Sequence, residues 1–536
     1  MNETPQLLDY NNYPAVREDL RERMRQSVQD FQVQNDQYTL RVSDVDYRGA
    51  RKHNLKAQKE AILGGRTLSD KLVGRYELVD NASGDVVNRT GIKTLLNVPY
   101  VTPRGTYIRN GTEYTISKQL RLVPGVFTRK TDDGLVEAQF NSKPRSGPGF
   151  RTYLEPDTGN FYLRYRRRKI PLYPVLRAMG YTHEQLESTW GSELASTNRK
   201  LERSPYAVNF LRQFRTREAV REELLGLKPL ADKGAAGEIE YSEEIRQNLL
   251  DEFGRTELDP RTTEITLGRP YERVSPEVLA VSTRKILQVQ RGQADTDSRD
   301  SLAFQEVNDI ADFLDEKIRN DQNGVARQLL WKIAGKKGDL SRIPTGLLDK
   351  HVSNLFNESG MSQAVEEINP LDMFDQNQRV TRLGEGAMSS VDVVPKEARN
   401  LQPSYMGYID PVRSPESMKI GVDMRFARDV RRGPGKQLYT RFQNPHTQKD
   451  EWVSAWDATR GVIAFPGAMQ TKDRFVPAMV GSKGMRYVDK GDVDYVMKSG
   501  DDMFSHGANL VPLKSGIKGM RLLMGSKFGV QALPLV

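Results

Sequence analysis

Apolar positions set the first expectations. From Val16 to about Gln34, Leu20, Met24, Val28 and Phe31 recur at helical spacing among charged residues, which predicts a surface helix with one buried stripe. Between Leu72 and Phe127 the pattern shifts to short β-rich runs, and Asn110-Gly111 between TYIR and TEYTIS is a strong two-residue hairpin signal. Residues 136–171 continue as strands ending in FYLRYRRRKIP; PVLRAMG, HEQLESTW and SPYAVNFLRQF then read as helices up to about Phe253. Further on, Phe304, Val307, Ile310, Leu314 and Ile318 fall on one helical face, and GVARQLLWKIAG repeats the pattern at once. From Gly384 onward glycine and proline interrupt short strand-like runs such as GVIAFPG, so the last third is expected to be loop-rich and to carry the working surface. No repeat of fixed period and no long low-complexity tract occurs.

Size changes this picture by requiring several cores. A chain of 536 residues implies three or four domains at roughly 150 residues each. Lys plus Arg number 80 against 71 Asp plus Glu, a net +9 that permits a nucleic-acid partner only where basic residues cluster. Cysteine is absent, which removes disulfides, thiolate zinc, iron-sulfur clusters and cysteine nucleophiles together. The five histidines lie far apart, without the spacing that puts two imidazoles on one metal. No apolar run approaches the roughly 18 residues needed to cross a bilayer, and the start has no basic then apolar leader, so a soluble, unsecreted protein is expected.

Two basic groups are candidates for phosphate contact. Arg164, Arg166, Arg167, Arg168 and Lys169 interleave with Tyr162 and Tyr165, a pattern able to hold phosphates while rings stack on bases; the plain alternative is a solvated strand edge. Arg425, Arg428, Arg431, Arg432 and Lys436 surround Gly433-Pro434-Gly435 without P-loop spacing. Asp295, Asp297 and Asp300 lack the ligand pattern of a calcium loop and are expected in a solvated turn. Gly384 and Gly386 do not complete a dinucleotide fingerprint, and no nucleophile elbow is present.

One long segment carries more information. Residues 362–386, SQAVEEINPLDMFDQNQRVTRLGEG, resemble without a gap the fork and rifamycin-pocket segment of the β subunit of multisubunit DNA-directed RNA polymerases, through Ser362, Gln363, Glu366, Asn369, Pro370, Leu371, Arg379, Leu383, Gly384 and Gly386. Residues 105–126 are similar to the β protrusion hairpin and YRRRKIP to the start of its lobe. PSYMGYIDPVRSPESMKIGV at 403–422 resembles the segment passing the active centre, and ANLVPL with MRLLMGSKFGVQALP at 508–534 the approach to the catalytic barrel. Arg413 stands where the family usually has Glu, Ser417 where it has Gly, Lys419 where it has Asn, and Glu385 where Pro is common.

The resemblance implies an α+β multi-domain fold: protrusion at 1–140 and 306–361, lobe at 141–305, fork at 362–400, an active-centre-flanking region at 401–505 and the start of a hybrid-binding region at 506–536. It further implies the N-terminal half of a split β subunit, like those of giant tailed bacteriophages, that walls the DNA channel and is not active alone. Gln363, Glu366, Asn369, Gln376, Arg379, Thr381 and Arg382 would face the RNA-DNA hybrid or line a rifamycin-type pocket, and Leu383, Gly384, Glu385 and Gly386 would form the fork loop. Pro415, Glu416, Lys419, Arg521, Met524, Lys527 and Gln531 would lie near the active centre, and Arg166, Arg167, Arg168, Lys169, Arg431, Arg432 and Lys436 on the DNA backbone. Implied partners are the C-terminal half of β, β′-like subunits, a promoter-specificity subunit, template DNA, nascent RNA and NTPs, with Mg2+ bound by a β′-like subunit and no membrane. The expected location is the infected bacterium's cytoplasm or the virion. The alternative is a non-catalytic DNA-binding virion or scaffold protein on a β-like fold.

Overall fold

The computed structural model describes residues 6–49, 53–131, 133–142, 147–216, 220, 231–233, 239–330, 333, 339–341 and 343–533. The chain divides into two compact units, 1–121 with 300–536 (unit 1) and 122–299 (unit 2). Residues 122–140, expected with the first region, therefore pack with unit 2, whose sheet begins at Gly125–Lys130.

Unit 1 opens with the helix Tyr13–Gln29, started by the Asn12 side chain and Pro14 and burying Leu20, Met24 and Val28. It is shorter than its apolar spacing suggests. Asp30 ends it, and Phe31 enters the core from the connection to the strand Gln32–Gln34, which pairs with Tyr38–Tyr47. Ser69–Asp80 extends this five-stranded antiparallel sheet and also receives Val86–Arg89 and Lys93–Pro99. The helices Ile310–Asn320 and Asp349–Asn357 add Leu314, Ile318, Leu355 and Phe356 to the core formed with Leu40, Leu72, Tyr76 and Leu96.

The Asn110-Gly111 turn joins Tyr107–Arg109 to Thr112–Ile116 with φ of 48° and 78°, and Ser362–Ala364 pairs with the second of these strands. Beside it, Gln305–Asn308, Lys118–Leu122, Arg379–Thr381 and Asp423–Arg425 form a four-stranded sheet in which Lys118–Leu122 and Arg379–Thr381 run parallel. The expected helix through Phe304 is corrected here: Phe304 lies in a 3-10 turn and Val307 in a strand. Asp309 caps the helix and exchanges hydrogen bonds with Asp312, so the helix can start only at Ile310. The following repeat is an α-turn at Gln322–Val325 and a π-helical segment at Ala326–Leu330, and most of its remainder lies outside the described residues. A seven-stranded sheet of short strands between Arg431 and Val496 completes the glycine-rich third.

Unit 2 is one antiparallel sheet, Arg168–Pro171, Asn160–Tyr165, Phe150–Glu155, Val136–Asn141 and Gly125–Lys130 in that order, with helices against one face. Strand alternation turns Phe161, Leu163 and Tyr165 inward and leaves Tyr162 and Arg164 outward. The inward set meets Trp190, Phe253 and Ile286, each such side chain contributing about 1.5–3 kcal/mol by leaving water. Trp190 Nε1 donates to Thr283 Oγ1 at 2.7 Å, so the indole N–H is satisfied inside the core. Asp297 is not in a solvated turn: it accepts from Lys285 Nζ at 2.6 and 2.8 Å and from the Thr128 N–H at 2.7 Å. Among the described residues no helix is long and apolar enough to cross a membrane.

Candidate nucleic-acid interface

The segment 362–386 is held from beneath by Lys118–Leu122. Gln119 Nε2 donates to the carbonyls of Leu383 (2.9 Å) and Glu385 (3.2 Å), and Arg121 Nη2 to that of Glu385 (2.9 Å). Both glycines of the loop answer to these two side chains. Gly384 has φ of 117° and Gly386 of 79°, and a Cβ would come within 2.7 Å of Gln119 at the first and 2.6 Å of Arg121 at the second. The Glu385 carboxylate points outward to Lys317 at 2.8 Å.

The polar residues of this segment are largely engaged with the protein itself. Asn369 caps the helix Pro370–Asn377 by accepting the Asp372 N–H at 2.8 Å, while its Nδ2 donates to the carbonyls of Gly529, Val530 and Ala532 at 3.0, 3.1 and 2.7 Å. Gln376 Nε2 donates to the Glu366 carbonyl (2.7 Å) and to Asp372 (3.0 Å), and the Glu366 side chain is exposed. Arg379 donates to Ser117 Oγ at 2.7 Å and to Gln363, and burial together with the Arg425 charge lowers its pKa. Thr381 is buried, and Arg382, only 2% exposed, donates to the Tyr405 hydroxyl, so neither faces solvent as an RNA contact would.

A buried hub that sequence reasoning missed lies within this segment. Asp375 accepts from Arg425 at 2.9 and 2.8 Å and from Arg413 at 3.3 and 3.1 Å. Burial raises its pKa, but the two guanidiniums outweigh that and hold the carboxyl below the ordinary range. Behind it the buried Lys118 amine donates to the Asn377 carbonyl; burial, with Arg379 and Arg425 nearby, pushes its pKa down to about 8 against the pull of Asp309.

Near the last helix, Gly519–Gln531, Lys527 pairs with Glu416 and Lys419 lies 3.6 Å from Asp423. Arg521 is exposed with Nη1 3.7 Å from the Met524 sulfur, Gln531 is exposed and Pro415 is half-buried. Asn369 and these carbonyls thus bring the 362–386 segment and the last helix together.

The second basic group meets partners within the protein. Arg432 is buried and donates to the Val307 carbonyl and to both oxygens of Asp312 (3.1 and 2.9 Å), with Arg23 on the same aspartate at 3.0 Å. Lys436 reaches Asn308 at 2.9 Å, Arg428 pairs with Asp502, and Arg431 lies over the Trp452 ring 4.5 Å from its centroid. The acids they meet lie far away in sequence, which is why composition alone made the group look free.

The first basic group is different. Arg166 and Arg167 form the two-residue turn closed by the Tyr165 and Arg168 pair, and both take left-handed backbone, φ 45° and 67°. That conformation costs a non-glycine residue roughly 1–2 kcal/mol, and Asn-Gly is the low-cost choice for such a turn. Arg166 pairs with Glu252 at 2.9 Å and Lys169 with Glu155 at 2.5 Å, whereas Arg164, Arg167 and Arg168 are exposed with no carboxylate partner among the described residues. Tyr165 cannot stack on a base: it is buried among Phe150, Phe210 and Phe253 with its hydroxyl on Glu252. Among the described residues no three acidic or histidine side chains converge to hold a metal ion.

Two family models match within the regions just described. The family described as RNA polymerase Rpb2, domain 2, matches residues 123–308, and RNA polymerase Rpb2, domain 3, matches 363–430. The chain is homologous to bacterial RNA polymerase β subunits. It is 24% identical over 494 residues to the DNA-directed RNA polymerase subunit beta of Corynebacterium efficiens, covering 86% of this chain and 41% of that protein. The corresponding subunit of Renibacterium salmoninarum is 25% identical over 518 residues (88% and 42%), and that of Thermus thermophilus 24% over 498 (88% and 43%). The chain therefore spans 41–43% of the length of these β subunits. The domain 2 match, 123–308, covers nearly all of unit 2, 122–299, and runs on into unit 1, and the domain 3 match encloses Asp375, Arg413 and Arg425.

Proposed function

We propose that the chain works as the N-terminal part of a β-type subunit in template-directed RNA synthesis. The observation that carries this is the placement of the two Rpb2 matches, in order, on unit 2 and on the segment built around Asp375. In this reading unit 2 contributes backbone contacts to nucleic acid through Arg164, Arg167 and Arg168, cations that read charge and not sequence. The 362–386 loop is a preformed element whose shape is fixed by Gln119 and Arg121. The Mg2+ ions of nucleotidyl transfer are held by a β′-like partner carrying an N-A-D-F-D-G-D loop, and the chain is active only in that assembly.

The reading extends to a split subunit in which the rest of the β body is a second chain. Support comes from the exposed apolar side chains Leu510, Leu513, Met520, Phe528 and Leu533 on and around the last helix, surface that an obligate partner would remove from water. Arg413, a departure from the family pattern, is paired here with Asp375, so it is accommodated by this chain's own core. The test is affinity purification of the tagged chain from cells that make it with its neighbours, followed by NTP incorporation on a DNA template. A β′-like partner and template-dependent product are expected. Recovery of the chain with DNA and no polymerase partner would overturn the proposal.

A further inference from the structure

The edge of the unit 2 sheet holds a site that phosphate contact alone does not explain. Between the edge strand Arg168–Pro171 and the helix Pro205–Leu211 lies a hollow of 830 Å³, bounded by Tyr162, Arg168, Lys169, Leu201, Tyr206 and Asn209. That is the volume of a pocket for a small organic group. Across the Arg166-Arg167 turn lies a second hollow of 460 Å³ with a polar lining that includes Arg151, Arg164, Arg166 and Arg167. One is aromatic and cationic, the other cationic and polar.

Three observations narrow the ligand. Tyr206 is 73% exposed and, among the described residues, has no hydrogen-bond, ion-pair or ring partner, unlike Tyr162, which stacks on Tyr153 and carries the Lys169 ammonium 4.0 Å from its ring centroid. Arg168 on the same hollow and Arg164 and Arg167 on the other have no carboxylate to neutralise them among the described residues. The turn holds two arginines in left-handed backbone where Asn-Gly would sit without strain, as it does at Asn110-Gly111 of this same chain. A ring-bearing hollow with one uncompensated guanidinium in its wall and two more across the adjoining turn suits a flat base between phosphates. A duplex buries its base faces by stacking and offers only phosphates and groove edges, so the ring requires an unpaired base.

We propose that this edge of unit 2 binds a single strand of nucleic acid, with one unpaired base in the hollow against Tyr206, one phosphate on Arg168 and the neighbouring phosphate on Arg164 and Arg167. The choice of a strand over a free nucleotide rests on the function proposed above. The site is tolerant of sequence, because every base has a face to stack.

Fluorescence anisotropy of the purified full chain with a labelled oligothymidylate of about 12 nucleotides tests this, beside the matching RNA and a duplex of the same length. Tyr206→Ala should weaken single-strand binding about 5- to 150-fold, the range that stacking of one base supplies, and leave duplex binding unchanged; Tyr206→Phe should retain the wild-type value. Arg168→Gln should weaken both ligands and reduce the salt dependence. The DNA and RNA arms show which strand is preferred. Equal effects of Tyr206→Ala on single strand and duplex, or no effect on either, would overturn the proposal. So would competition by a mononucleotide at the concentration at which the oligomer binds, since the ligand would then be a free nucleotide. NTP incorporation by the assembled complex is read separately, so failure of the strand site and failure of the polymerase reading are distinguishable.

Discussion

Replacing Asp375 with asparagine removes the carboxylate shared by Arg413 and Arg425 while keeping the side-chain volume. Four hydrogen bonds between 2.8 and 3.3 Å converge on it, and all three side chains are buried or nearly so. The variant leaves two guanidiniums in a low-dielectric interior with a neutral amide whose N–H groups repel them. Removing one partner from a buried pair costs about 3–5 kcal/mol. Unit 1 has about 360 residues, and at about 2.1 cal/mol/K per residue its unfolding entropy is about 0.75 kcal/mol/K, so the loss converts to a fall in Tm of about 4–7 °C. Because the folded carboxyl titrates below its unfolded value, its contribution is complete above the ordinary carboxylate range and is lost only as pH falls through the lowered pKa. Calorimetry at pH 7 therefore reads the whole effect. Arg413→Met alone should also destabilise, and the double variant should fall well short of the sum, because the second change removes a charge the first left stranded. A shift below about 1 °C, or strict additivity in the cycle, would refute the assignment of Asp375 as the hub.

Three further outcomes are expected. Gly386→Ala forces a methyl group to 2.6 Å from Arg121 at a φ of 79°, so it should cost about 1–3 kcal/mol in urea unfolding and speed proteolysis at the 383–388 loop. Asn-Gly in place of Arg166-Arg167 should raise stability by about 1–2 kcal/mol after the loss of the Arg166 and Glu252 pair, and lower single-strand affinity in the same preparation. Lys118 binds a proton more readily unfolded than folded, so its burial penalty is present below about pH 8 and relieved as pH rises: wild-type stability should gain about 2 kcal/mol from about pH 8 to about pH 10 relative to Lys118→Met, measured by denaturant midpoints.

Local signals were readable and long-range ones were not. The Asn110-Gly111 hairpin and the strands from Val136 to Pro171 follow from turn chemistry and alternation, which act between neighbours. Phe304 and Val307 mislead because they share a helical phase with Ile310, yet the Asp309 and Asp312 cap decides where the helix begins, and that spacing was visible in the sequence. The cluster from Arg425 to Lys436 looked like free charge because Asp375, Asp309 and Asp312 are supplied by other elements of the fold. Tyr165 sits in the basic run beside Tyr162, yet the alternation that buries Phe161 and Leu163 also turns it inward, while Tyr206, more than thirty positions after the run, carries no signal beside it.

Asn369 has a mechanical consequence. Its oxygen closes the start of Pro370–Asn377 and its nitrogen gathers the carbonyls that end Gly519–Gln531, so one amide rivets two helix termini of opposite polarity. Fraying of the last turn then also loosens the first turn of the other helix, so the two ends melt together rather than one at a time.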